Sequence, residues 1–257
     1  MEVGTAIDKM TLAVFEWKSR PGAFSHLTEL SARVPLDQSL TSLLSDIGGD
    51  HSLTTLRLVY AGRHLVHLKS LMRAVASHSL PRHLSLSRLR TDTSDADMLR
   101  SIACLILLES LEIHNHSASN VADNDIGDLL ENLPLLKRLQ LRLPDWWEKG
   151  WTRLMLQTLI LTCTYCPLLE HIALLIDARQ EFIPSKAQEQ PNESKPRVPT
   201  LECTMCQPCS PIDALEVAAF LSQLRPIDVR VKETDDKSSP WDEVDGFMQR
   251  SGSWGTM

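Results

Sequence analysis

Apolar residues recur along this chain in an L-x-x-L-x-L pattern. Clear copies are Leu53, Leu56, Leu58; Leu108, Leu111, Ile113; Leu136, Leu139, Leu141; and Leu169, Ile172, Leu174. Further copies are Val198, Leu201, Cys203 and Leu224, Ile227, Val229. Looser ones hold Leu84 and Leu86, with Leu80 one place early, and Leu27, Leu30, Ala32. The middle positions 30, 56, 84, 111, 139, 172, 201 and 227 are separated by steps of 26, 28, 27, 28, 33, 29 and 26 residues. So narrow a range over seven steps marks an internal repeat.

Within each copy the apolar positions alternate, so they project to one face of a short strand while the residues between them face outward. Helical spacing follows each strand. His64–Ser77 carries Leu65, Leu68, Leu71, Met72 and Val75 on one face. Asp95–Leu107 carries Met98, Leu99, Ile102 and Leu105, with Asp95 expected as N-cap. Asp125–Asn132, Thr152–Thr164 and Asp213–Gln223 repeat the pattern. One strand plus one helix cannot bury its own apolar face, so neighbouring units must stack. The expected fold is α/β: a leucine-rich-repeat solenoid (horseshoe) with short parallel strands on its concave face and helices on its convex face. A doubly wound sheet shares the strand–helix alternation but needs no fixed leucine period, and no G-x-G-x-x-G follows any strand here.

The period sets the expected domain organisation. Residues 1–25 read as an N-terminal segment or degenerate capping repeat; Ile7, Met10 and Leu12 echo the pattern, but only 20 residues before the next copy. Residues 26–232 form the repeat domain, with a helix missing and a polar, disordered-like insertion at about 178–198. Residues 233–257 supply an acidic linker, a capping helix carrying Trp241, Val244, Phe247 and Met248, and a tail.

Leucine accounts for 42 of 257 residues and glycine for only 10, which excludes collagen-like and glycine-rich chains and disfavours several phosphate-binding loops. Net charge is −7, but unevenly spread: residues 1–100 balance to +2 and residues 101–257 to −9. An acidic second half repels phosphate backbones, so nucleic acid is not an expected partner. The most apolar windows, Ile102–Leu108 and Leu154–Leu161, fall far short of the roughly 18 residues of a membrane span. Met1-Glu2-Val3-Gly4 lacks a secretory signature, and six cysteines in this length are not a disulfide framework. The expectation is an intracellular protein, cytoplasmic and/or nuclear, with no membrane partner and no cofactor.

The units "SLTTLRL", "LLESLEI", "LLKRLQL" and "CPLLEHIAL" resemble the repeats of fungal F-box/leucine-rich-repeat proteins. The resemblance covers roughly residues 20–250, including the closing helix (Ala214–Leu224), strand and Trp-led acidic helix. It implies a substrate receptor of a Skp–cullin–F-box ubiquitin ligase, with the repeats binding the target. The F-box itself, a helical module opening with a leucine–proline step, is not recognised. Leu80-Pro81, Leu133-Pro134 and Leu143-Pro144 lie inside repeats, and Met1–Ser25 is too short to hold one. Ligase subunits are therefore expected partners of a longer form carrying an F-box. A repeat-only scaffold or inhibitor unrelated to ubiquitin is the alternative.

Cysteine provides the sharpest chemical signal: Cys163-x-x-Cys166, then Cys203-x-x-Cys206-x-x-Cys209. Such knuckles hold tetrahedral zinc, which makes a zinc-binding protein a further alternative. Against it, Cys166 precedes its strand while Cys206 and Cys209 follow theirs, on opposite sheet edges, so no metal site is assigned. The pairs His64/His67 and His114/His116 have no carboxylate or thiolate at motif spacing. With no H-E-x-x-H, G-x-S-x-G or G-x-x-x-x-G-K-[ST] present, no catalytic residue is assigned and the chain reads as a non-enzyme.

The best-motivated site is the outward face of the strands. Between the leucines stand Ser31, Arg57, Ser85, Glu112, Gln140, Ala173, Glu202 and Asp228. Flanking them are Arg33, Thr55, His83, Ser87, His114, Arg138, Arg142 and His171. A varied polar surface of this kind suits recognition of one protein target. Candidate contacts are Arg57, His83, Glu112, His114, Arg138, Gln140 and Arg142, with the arginines suited to carboxylate or phosphate. Trp146 and Trp147, in the run Asp145–Trp151, are candidates for an aromatic rim.

Overall fold

A computed structural model of the chain describes residues 9–13, 28–34, 53–60, 68–78, 81–87, 95–114, 121–142, 154–176, 200–205, 220–221 and 228–233. Nine strands form one sheet: β1 (Lys9–Ala13), β2 (Glu29–Val34), β3 (Thr55–Tyr60), β4 (His83–Ser87), β5 (Ser110–His114), β6 (Arg138–Arg142), β7 (His171–Ile176), β8 (Thr200–Met205) and β9 (Asp228–Glu233). Every neighbouring pair is parallel, and spatial order equals chain order from β1 to β9. Among the described residues, four helices with both ends described occupy successive crossovers: α1 (Leu68–His78), α2 (Asp95–Ile102), α3 (Asp123–Glu131) and α4 (Leu156–Tyr165). The fold is therefore α/β, with parallel strands alternating with helices. An order that never reverses distinguishes it from a doubly wound sheet, whose strand order turns back at a switch point.

The leucine pattern sets the register. Leu30, Leu56, Leu84, Leu111, Leu139, Ile172 and Leu201 are successive Cα partners across seven strands. A slip by one residue would turn every apolar side chain of a strand to the wrong face. The turn before each strand pins the register further. The Arg82 carbonyl accepts from the N–H groups of Glu109 and Ser110 at 2.7 and 2.8 Å, and the Glu109 carbonyl accepts from Lys137 and Arg138 at 2.7 and 3.0 Å. Thr28, Thr54 and Lys137 repeat this double acceptance, so the same link joins six consecutive repeats.

The sheet advances in one direction and each helix packs on the next, α1 on α2, α2 on α3 and α3 on α4. In a parallel sheet that advances in one direction, crossovers of a single hand place all four on one side. Their apolar faces meet the strand leucines in one continuous core: Leu71, Met72 and Val75 from α1, Met98, Leu99 and Ile102 from α2, and Ile126, Leu129 and Leu130 from α3. Full burial of a leucine contributes about 1.5–3 kcal/mol. This layer of leucine is the main cohesive element of the fold.

The structure amends several local expectations. The segment at Met10 is a strand: Met10 pairs with Leu30 and Leu12 with Ala32, despite the 20-residue step. At the other end, Leu201 pairs with Val229, so the last repeat sits two residues later than the spacing suggests. A two-residue shift preserves which side chains face inward, which is why the pattern alone does not detect it. It does move Asp228 beside Thr200, leaving Arg230 as the partner of Glu202. In the fourth repeat the early buried position belongs to Pro81. Helix α2 begins at Asp95, making Asp95 its first residue and not its cap, and α3 begins at Asp123 behind an Ala122 N-cap. The insertion at 178–198, the C-terminal capping helix, and the helix expected over 213–223 apart from Phe220 and Leu221 lie outside the described residues.

Candidate protein-binding face

Positions between the core leucines form rows across the side of the sheet away from the helices. The central row runs Ser31, Arg57, Ser85, Glu112, Gln140, Ala173. One row toward the strand starts runs Glu29, Thr55, His83, Ser110, Arg138, His171, and one toward the ends includes Val59, Ser87, His114 and Arg142. From β2 to β5 the described outward side chains are exposed or half-exposed, while the alternating leucines are fully buried.

Arg57 is exposed on β3, and its Nε lies 3.5 Å from Glu29 Oε1 on β2. That partner was not anticipated, because Glu29 lies 28 residues away in sequence and becomes a neighbour only through strand pairing. His83 stands exposed at the start of β4. On β5, His114 Nε2 and Glu112 Oε2 are 3.6 Å apart, two residues on the same face of one strand. Arg138 is exposed on β6, with His171 beside it in register. Gln140 is buried, its Nε2 placed 2.8 Å from His171 Nε2 on β7. A donating amide in that position requires the ring nitrogen to carry its lone pair.

Arg142 ends β6 in register with His114; its side chain, like Trp146 and Trp147, lies outside what the structure describes. The candidates thus divide into two groups. Glu112, His114, Arg138, Gln140 and Arg142 share the adjacent strands β5 and β6. Arg57 stands three strands from Arg138, about 14 Å at ordinary strand spacing, so the arginines do not form one anion-binding fork.

The character of the face changes at β7. Ala173 and Leu175 alternate with the core residues Ile172, Leu174 and Ile176, yet both are buried and neither joins the main core cluster. Open polar surface therefore runs over β2–β5 and continues at Arg138 on β6, giving way to covered positions at Gln140 and, on β7, at Ala173 and Leu175. The sequence signal for this was Ala173 and Leu175 themselves, two apolar residues at outward positions of one strand.

Cysteine chemistry points away from thiolate. Cys163 and Cys166 are buried, and Cys166 Sγ donates to the carbonyls of Leu133 and Leu130 at 3.4 and 3.9 Å. Burial pushes the Cys163 thiol up to about 11. Burial, with added repulsion from Cys163, pushes Cys166 up to about 12. Carbonyl acceptors and an apolar lining favour the protonated form, the opposite of a metal-ready pair. Among the described residues no group of three or more His, Cys, Asp or Glu side chains is placed to hold a metal ion. The side chain of Cys203 and all of Cys206 and Cys209, with His64, His67 and His116, lie outside the described residues. Among the described residues no helix is long and apolar enough to cross a membrane. Comparison of the chain with protein-family models and with curated protein sequences finds no match in either.

Proposed function

We propose that the chain is a leucine-rich-repeat horseshoe and a non-enzymatic protein-binding module, taking its target across the open face of β2–β5 and the exposed Arg138 of β6. One observation carries this reading. An outward sheet surface is lined in register by varied polar side chains, Arg57, Ser85, Glu112, His114 and Arg138 among them, and among the described residues no helix lies over it. Each strand contributes one or two side chains at about 4.8 Å intervals, a spacing matched to an extended or helical protein segment. Repeat units of the form "CPLLEHIAL" support the more specific role of substrate recognition in an F-box-type ubiquitin ligase system.

Affinity capture from cell extract tests it. A chain carrying Arg57→Glu, Arg138→Glu and Arg142→Glu is expected to lose the specific partners of the wild type while retaining its thermal transition. An unchanged partner list removes the open face as the binding site. The ligase role has a separate test, association of a longer, F-box-bearing form with Skp-type adaptor subunits. Without that association the chain is a repeat-only scaffold or inhibitor.

A further inference from the structure

Large apolar side chains are left exposed in a regular row on one edge of the sheet. Ile106, Leu107, Leu135 and Leu168 retain 54, 39, 38 and 48% of their surface. Leu107, Leu135 and Leu168 each stand four residues before the central strand residue (Leu111, Leu139, Ile172), hence at one position of three consecutive repeats. Parallel pairing stacks these turns about 4.8 Å apart, so the leucines form a ridge beside the starts of β5, β6 and β7. The next residue in each repeat, Leu108, Leu136 or Leu169, is buried in the core. The ridge leucines are thus surplus to the fold, and a contiguous apolar strip on an otherwise polar surface marks a contact site.

The charges bordering the ridge indicate what covers it. Two residues beyond each exposed leucine stand Glu109, Lys137 and Glu170, and the repeat before them has Arg82 at the equivalent position. In spatial order the row reads plus, minus, plus, minus. Glu109 is largely covered and holds both cations, Arg82 at 2.8 Å and Lys137 at 2.7 Å. That triad carries one net positive charge, with Arg82 and Lys137 projecting outward at 62 and 44% exposure. Glu170 is exposed and has no ion pair among the described residues. Such a row is complementary to its own reverse.

We infer that this ridge is the contact surface of a two-fold homodimer of the chain. A two-fold axis passing between the turns of β5 and β6 sets Leu107 against Leu135 of the second copy. It also sets Glu170 against Arg82 of the second copy, twice by symmetry. Self-complementarity of one patch is the requirement of an isologous interface. The edge is narrow, at the small end of specific contacts, so the dimer is a reversible one. The open face adjoins this edge at Ser110, Arg138 and His171 but presents different side chains, and its proposed role does not depend on the dimer.

Sedimentation velocity across a concentration series, reaching about 100 µM, tests the inference. Wild type is expected to shift from monomer to dimer mass. Leu135→Glu or Leu168→Glu should weaken the dimer about tenfold or more while leaving the thermal transition in place. Glu170→Lys and Arg82→Glu should each weaken it alone, and an equimolar mixture of the two variants should recover association, because both cross-contacts become attractive again. A readout that needs no variant is hydrogen exchange of wild type, with protection of residues 106–109 and 134–137 rising with concentration. Three results would overturn the dimer: a monomer throughout the series, a dimer insensitive to the leucine substitutions, or another protein bound on the ridge of a chain that stays monomeric.

Discussion

The carboxylate of Asp123, on the first residue of α3, accepts a hydrogen bond from the hydroxyl of Thr158 in the first turn of α4. The same Asp123 oxygen takes the backbone N–H of Met155, the N-cap of α4, at 2.8 Å. One repeat therefore caps the helix of the next, because the Met155 side chain has no oxygen to offer the exposed N–H groups. Thr158 is fully buried, so its hydroxyl depends on this partner.

Replacing Asp123 with Ala removes a charged cap and strands a buried hydroxyl. The expected cost is about 1–3 kcal/mol in urea or guanidinium denaturation. Pairing it with Thr158→Val should cost less than the sum of the two single changes, since the valine leaves no hydroxyl unpaired. Strict additivity would show that the two side chains are not coupled.

Glu109 predicts an acid-side effect. The hydrogen bond from Lys137, reinforced by the nearby charge of Arg82, holds its carboxyl below the ordinary value of 4.5. A depressed folded value means the unfolded chain binds its proton first. The stabilisation is therefore complete above about 4.5 and fades as pH falls through the lowered folded value. Glu109→Gln should consequently be less stable than wild type at neutral pH, with the gap closing on acidification. A gap independent of pH would contradict the ion-pair account.

The thiols order themselves by accessibility. Cys104 is exposed, whereas Cys163 and Cys166 are buried with thiols raised to about 11 and about 12. In a short pulse of iodoacetamide near pH 8 the native chain should label at Cys104 before Cys163 or Cys166, whose modification awaits unfolding. Peptide mass spectrometry reads this order directly. Raised folded values also imply stability retained up to the ordinary thiol value of 9.0 and lost as pH climbs through the folded values.

Gly127 lies buried inside α3, where an added Cβ would meet Leu161 Cδ1 at 3.4 Å, the movable end of a flexible side chain. Alanine fits there and removes the helix penalty of glycine, so Gly127→Ala should stabilise by about 0.5–1 kcal/mol. Gly127→Leu has no such room and should destabilise. Thermal or chemical denaturation of the pair distinguishes a site with space for one methyl from one with none.

Much of the sheet is legible in the chain because parallel pairing of equivalent repeats translates sequence period directly into spatial register. Seven central positions, from Leu30 to Leu201, become strand partners as their spacing implies. Outward placement of Arg57, Ser85, Glu112 and Gln140 follows from the same alternation. Only at β9, where Leu201 pairs with Val229 and not Ile227, does the pattern give the inward parity but not the register, since strands two residues out of step bury the same faces.

What the sequence determined by itself was local and periodic: the alternation that makes strands, the helical stripes between them, and the side of the sheet each residue faces. Tertiary structure alone decided which repeats meet through side chains. Glu29 with Arg57, Gln140 with His171, Glu109 with Arg82 and Lys137, and Asp123 with Thr158 all join residues between 27 and 35 apart. Such contacts depend on where neighbouring turns stack and how long side chains reach across about 5 Å between strands. The exposed leucine ridge belongs to the same category. Its residues carry the same letter as the core, and only burial of the adjoining position separates a leucine that builds the fold from one left for contact.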